Sequence, residues 1–165
     1  MKDKLIVLAE FLVDQFKKEL EGQDHKASGD LENSLRYEIN ETGGGFEINF
    51  IALNYGRFLE TGTAPHYVPI DALIKWIEDK GIAFGDKEIK NMAFAIQKTI
   101  AQEGTPTKGS YSFTKNGRKK EWISFVANSS KPRIEAEILK AMSLTTSIRL
   151  ANIIKETNKS TSQWH

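Results

Sequence analysis

Residues 35–51 read LRYEINETGGGFEINFI. Leu35, Tyr37 and Ile39 alternate with Arg36, Glu38 and Asn40, the period of a strand with one buried face. Gly43, Gly44 and Gly45 supply a flexible hairpin turn. Phe46, Ile48 and Phe50 then alternate with Glu47 and Asn49 on the return. The reading predicts antiparallel strands over 35–40 and 46–51. Two strands alone are marginal, so their apolar face needs a helix or further strands against it. Alternation also argues against a parallel doubly wound sheet, whose strands read as continuous apolar runs.

Working outward, the flanks are helical. Leu5, Leu8, Ala9, Leu12, Phe16 and Leu20 fall at helical spacing and predict an amphipathic helix over 3–21. A polar connector and a turn or short cap at Ser28, Gly29 and Asp30 lead into the hairpin. Downstream, Pro69 opens a helix with Ile70, Leu73, Trp76 and Ile77 on its buried stripe, and Gly81 ends it. Asp86 is a credible N-cap for the next, which carries Ile89, Met92, Ala93, Ile96 and Ile100 and closes at Gly104. Residues 105–120 hold almost nothing apolar beyond Tyr111 and Phe113. They predict a long polar loop, functional or disordered alone. Trp122, Ser124 and Val126 alternate with Ile123 and Phe125, which predicts a third strand over 121–127. Pro132 then opens a last helix running past Ile134, Ile138, Leu139, Met142, Ile148, Ala151 and Ile154, with a frayed polar tail at 157–165. The expected fold is α+β and a single domain over 1–165. A small antiparallel sheet, the hairpin plus a third strand, packs against N-terminal, central and C-terminal helices.

Composition narrows the function. The chain has 165 residues, enough to bury a core without staples. It has no cysteine, which removes disulfides and thiolate chemistry. Its N-terminus does not read as a signal peptide, because Glu10 and Asp14 interrupt the apolar residues. A net charge of +1 argues against a dedicated, strongly basic nucleic-acid binder. Charge is nevertheless local: Lys115, Arg118, Lys119 and Lys120 cluster in the polar loop.

Residues 53–69, LNYGRFLETGTAPHYVP, compress a short aromatic helix, a glycine stop and a proline loop. Tyr55, Phe58 and Leu59 share one face of a helix expected over 52–61. Gly62 suits the residue after its last turn, and Pro65 forbids resumption. Glu60 lies where the helix dipole is negative, a mildly unfavourable place for a carboxylate. Arg57, or the amides of Gly62 and Thr63, are candidates to offset it.

The search for catalytic chemistry finds little. GTPTKGS at 104–110 lacks phosphate-loop spacing, and the triple glycine is a turn rather than a nucleotide fingerprint. His25, His66 and His165 are far apart and form no metal-ligand pair. Ser110 and Ser124 have no nucleophile elbow around them. Asp71 and Glu78 read as a solvated face. Trp76 reads as core and Trp122 as core or interface. The 115–120 cluster reads either as a solvated loop or as a phosphate-facing patch. Four charges on one chain bind weakly and non-specifically, but repeated around a ring they would line a pore.

ASGDLENSLRYEI, the glycine hairpin, LNYGRFLETGTAP and helices ending in GTPTKG together resemble the small tail-component family of tailed bacteriophages, the head–tail joining, neck or tail-completion proteins. The resemblance lies in Ser28, Gly29, Asp30 and Leu31 before a strand, in Tyr55, Phe58, Leu59, Glu60, Gly62 and Thr63 after the hairpin, and in a final helix. It spans residues 1–105, and the chain departs from the pattern after Gly104. The resemblance implies a virion component, assembled in the host cytoplasm, that is not an enzyme and needs no cofactor. Such proteins form rings of copies at the portal–tail junction, contact portal, adaptor or tail proteins, and pass DNA through a channel. On this expectation Tyr55, Phe58, Glu60, Thr61, Gly62, Thr63 and Trp122 shape a subunit contact, and Lys115, Arg118, Lys119 and Lys120 face DNA. The rival readings are a small non-catalytic nucleic-acid-binding module acting alone, and an enzyme such as a nuclease or hydrolase.

Overall fold

The computed structural model describes residues 2–43 and 45–161. Helix α1 (Lys2–Gly22) leads to a short α2 (Asp30–Ser34) and the hairpin of β1 (Arg36–Thr42) and β2 (Gly45–Ile51). There follow a short α3 (Gly56–Thr61), α4 (Ile70–Lys80), α5 (Asp86–Glu103), a 3₁₀ turn over Lys108–Phe113, and the long α6 (Trp122–Thr161). The fold is α+β, with one antiparallel hairpin set against helices from both ends of the chain. Tyr37 pairs with Phe50, Ile39 with Ile48 and Glu41 with Phe46. The sequence alternation therefore gathers the apolar side chains on one face.

Two separate hydrophobic clusters hold the chain. In the first, Leu8, Leu12, Phe16 and Leu20 of α1 meet Leu31, Leu35, Trp122 and Val126. Phe16 is its centre, edge-on to Phe50 at 5.4 Å and to Trp122 at 5.5 Å between ring centroids. Each such side chain, fully buried, stabilises by about 1.5–3 kcal/mol. The second cluster lies between α4 and α5, with Leu73, Ile77, Ala83, Ile89, Ala93 and Ile100. Gly81 ends α4 in the left-handed conformation, at φ 64° and ψ 33°.

Three sequence expectations fail here. Residues 121–127 are not a third strand: Trp122 starts α6, and the sheet has two strands. The run Trp-Ile-Ser-Phe-Val is too short for periodicity to separate strand from helix. The burial pattern is helical, with Trp122, Val126 and Ser130 buried at steps of four. Pro132, expected to open the last helix, lies inside it. It removes the amide that would bond to the carbonyl of Asn128, and the packed face around it keeps the helix continuous. Trp76, read as core, is exposed on α4. Residues 105–120 form the long connection between α5 and α6, with the 3₁₀ turn inside it, and bonds to Thr63, to the end of α1 and to Gln23–His25 hold it. The helical backbone also runs through the expected frayed tail as far as Thr161; Trp164 and His165 lie outside the described residues.

α6 runs antiparallel to α1. Trp122 meets Phe16 edge-on, Arg133 lies over the Phe11 ring at 3.6 Å, and Glu137 feels the charge of Lys4. α1 begins at Lys2, within about one turn of that point. Residues 142–161 of α6, about 30 Å of helix, therefore continue beyond the start of α1.

Candidate functional site

The residues singled out in the sequence converge on the junction of α3, α5 and α6. α3 ends at Gly62, whose φ of 75° and ψ of −178° suit glycine alone, and the Gly62 amide donates to the Phe58 carbonyl at 2.8 Å. α5 ends in the same way at Gly104, with φ 79° and ψ −162°. Each glycine is followed by a threonine, and the two threonines pair. The Thr63 amide donates to the Thr105 carbonyl at 2.7 Å, the Thr105 amide returns the bond at 3.2 Å, and the two hydroxyls lie 2.8 Å apart. A Cβ at Gly62 would sit 2.6 Å from the Thr105 carbonyl oxygen, and one at Gly104 would strike the Thr63 carbonyl oxygen. The close approach therefore requires both glycines.

Glu60 resolves the oddity of its position. Its backbone carbonyl accepts from the Glu121 amide at 2.9 Å. Its carboxylate accepts from the amides of Ile123 at 2.7 Å and Ser124 at 3.2 Å, and from the Ser124 hydroxyl. The acid at the unfavourable end of α3 is thus the cap for the N-terminus of α6, where the dipole favours it. Glu121, at φ 61°, turns the chain into that cap, and its carbonyl accepts from the Phe125 amide. No local sequence pattern links positions 60 and 123. Ser124, considered as a nucleophile, donates its proton to a capping carboxylate.

Tyr55 and Phe58 are exposed, while Leu59 turns toward the first cluster. Trp122 is buried, and its indole N–H donates to the Gly56 carbonyl at 3.0 Å. Beside the threonine pair lies an open polar cleft of about 400 Å³, bordered by Thr61, Ala64, Pro106, Tyr111 and Lys120. Exposed His66 bonds through Nδ1 to the Ala64 carbonyl at 2.8 Å. Among the described residues no group of three His, Cys, Asp or Glu side chains is placed to hold a metal ion.

The basic segment docks on the C-terminal end of α1. Arg118 grips buried Glu19 with Nε at 2.8 Å and Nη2 at 2.9 Å, and its guanidinium covers the Phe125 ring at 3.5 Å. Burial alone would raise the Glu19 carboxyl. The bonds from Arg118, Gln23 and Asn116 outweigh it and hold the group below the usual carboxylate range. Lys115 pairs with Glu21 at 3.0 Å. Buried Lys119 and half-buried Lys80 share Asp24, at 3.7 and 2.8 Å. Fully buried Gln23 donates to the Lys120 carbonyl, and His25 bonds to the Lys119 carbonyl and to Gln23. Burial, with Lys119 alongside, lowers His25 to about 4, so the ring is neutral at pH 7. Of the four cations grouped in the sequence, Lys120 alone is exposed without an ion pair among the described residues. The network was illegible because Glu19 and Glu21 lie in a helix and Asp24 in a polar connector, about ninety positions from the cations they meet, and no sequence pattern joins them. No protein-family model, curated protein or solved structure matches the chain.

Proposed function

We propose that the chain is a structural subunit of the ring-shaped neck or tail connector of a tailed bacteriophage, contacting copies of itself and portal, adaptor or tail proteins around the DNA channel. The resemblance in residues 1–105 supplies the class. The observation that carries the reading is the apolar surface left open by a single copy. Tyr67 and Phe84 are each 80% exposed, with Phe113, Phe94 and Phe58 also open to solvent. Aromatic side chains are enriched where subunits meet, and ones this open are what a subunit contact would cover. Tyr55 and Phe58 supply contact. Glu60, Thr61, Gly62, Thr63 and Trp122 fix the junction that presents them.

The DNA-facing role falls mainly to Lys120. Lys115, Arg118 and Lys119 spend their charge on Glu19, Glu21 and Asp24, which weakens any electrostatic footprint of one chain acting alone. The connector reading is therefore favoured over the isolated nucleic-acid-binding module. Particles released by cells carrying the gene, purified and quantified by mass spectrometry, are expected to contain the chain at a fixed multiple of portal copies. Its absence from purified particles would refute the assignment. Unchanged DNA retention in particles bearing Lys120→Glu would remove the DNA contact.

A further inference from the structure

The outward side of α5 carries a row of cations that the fold does not use. At 3.6 residues per turn, Lys87, Lys90, Asn91 and Lys98 all lie within about 60° of Phe94 round the helix axis. All five residues are exposed, Phe94 at 59%. Ile89, Met92, Ile96 and Ile100 occupy the other side, in the cluster shared with α4. Glu88 and Glu103 point more than about 100° away from Phe94.

The ammonium groups of Lys87, Lys90 and Lys98 enter no ion pair or hydrogen bond among the described residues. Asp86 stands four positions before Lys90 without pairing with it. Other helices treat their lysines differently: Lys18, Lys75, Lys131 and Lys140 each meet an acid three or four positions away. Lys87 lies in the first turn of α5 and Lys90 in the second, where the helix dipole disfavours cations. The two also repel each other at i, i+3. Folding gains nothing from this row, so an anion outside the chain is what accounts for it.

The residue types select the anion. All three cations are lysines, point charges on flexible stems that follow a repeating row of negative charge without demanding one register. Arginine, whose fork reads a single carboxylate or guanine, is absent from the row. The Phe94 ring between Lys90 and Lys98 suits apolar contact with a thymine methyl. From Lys87 to Lys98 the row runs about 16 Å along the helix, enough to cross a major groove roughly 12 Å wide and reach phosphates on both walls. Beyond the C-terminal end of α5, unpaired Lys120 borders the cleft lined by Thr105.

We propose that the outer face of α5 is a sequence-independent contact for the phosphate backbone of double-helical DNA. It deepens the reading above, which supplies the DNA channel; the unpaired lysines stand apart from the virion assignment. Three contacts hold DNA weakly on one chain, and copies arrayed around a channel add to one another.

The full chain is titrated into a short fluorescent duplex of mixed sequence, at low salt and again as salt rises. Log affinity is expected to fall with log salt at a slope of about −3, one phosphate per lysine. Replacing Lys87, Lys90 and Lys98 together by Gln is expected to cost at least about tenfold in affinity at low salt and to flatten the slope to about −1 or less. Replacing the same three by Arg should keep both. Lys17→Gln, which removes an exposed cation from α1, should change neither. Circular dichroism verifies that each variant folds. A parent chain that binds no duplex at low salt, or a triple Gln variant that binds as the parent does, would overturn the proposal. So would stronger competition from the single strand, or from polyglutamate, which would assign the face to an acidic protein surface. A chain found in particles whose DNA binding ignores the three lysines defeats this inference alone. DNA binding through the three lysines by a chain absent from particles defeats the virion assignment alone.

Discussion

Replacing Glu60 tests whether one carboxylate nucleates a helix that begins sixty-odd positions later in the chain. Glu60→Ala leaves the amides of Ile123 and Ser124 and the Ser124 hydroxyl without their acceptor. An N-cap deletion costs about 0.5–2 kcal/mol, and the loss of a charge at the N-terminal dipole about 0.3–1 kcal/mol more. The site is part-exposed, so water takes over some of the lost bonds. The expected sum is about 1.5–2.5 kcal/mol. Glu60→Gln keeps one oxygen and loses the charge, and should cost about 1 kcal/mol. Urea unfolding followed by far-ultraviolet circular dichroism measures both. A double-mutant cycle with Ser124→Ala should give a coupling above about 0.5 kcal/mol. The capping argument fails if Glu60→Ala unfolds within about 0.5 kcal/mol of the parent chain, or if Gln is as damaging as Ala.

His25 makes stability depend on pH. The unfolded chain takes up a proton on this ring near pH 6.5, whereas the folded chain resists it down to about 4. Stability therefore falls as pH drops through that window, by about 2 kcal/mol between pH 7 and pH 5. Denaturant midpoints should record the slope, and His25→Asn should flatten it; an unchanged slope would remove His25 as its source. Gly104→Ala forces a methyl group onto the Thr63 carbonyl at a positive φ. It should cost about 2–4 kcal/mol and lower the melting temperature by about 5–10 °C. Gly109→Ala, where a Cβ meets nothing within 4 Å, is the control and should change stability by under about 0.5 kcal/mol.

The legible parts of the fold are those governed by neighbours in sequence. The hairpin was readable because alternation sets its register, and α1, α4 and α5 because apolar spacing and terminal glycines bound them. The start of α6 was not, since its first turn is built by a side chain from α3 and its aromatic, β-branched residues imitate a strand. Pro132 compounded the error by resembling a helix start. At the site, Gly62 and the isolated Glu60 could be recognised as unusual. Their partners, Thr105 and the amides after Trp122, are set by tertiary packing that leaves no periodic mark. The cluster at 115–120 illustrates the same limit: four cations within six positions look free until the end of α1 and Asp24 just after it neutralise three of them.

The separation of the two hydrophobic clusters has a dynamic consequence. The α4–α5 pair is fastened to the rest through polar pins, the threonine bridge and the Lys80–Asp24 contact, rather than by a shared oily interior. Such pins yield to water more readily than packed side chains do. That pair should breathe as its own cooperative unit, its amides exchanging with deuterium together and ahead of those in the first half of α6. A partner gripping Phe84 or Phe94 would then hold a movable arm while the Phe16 core stays still.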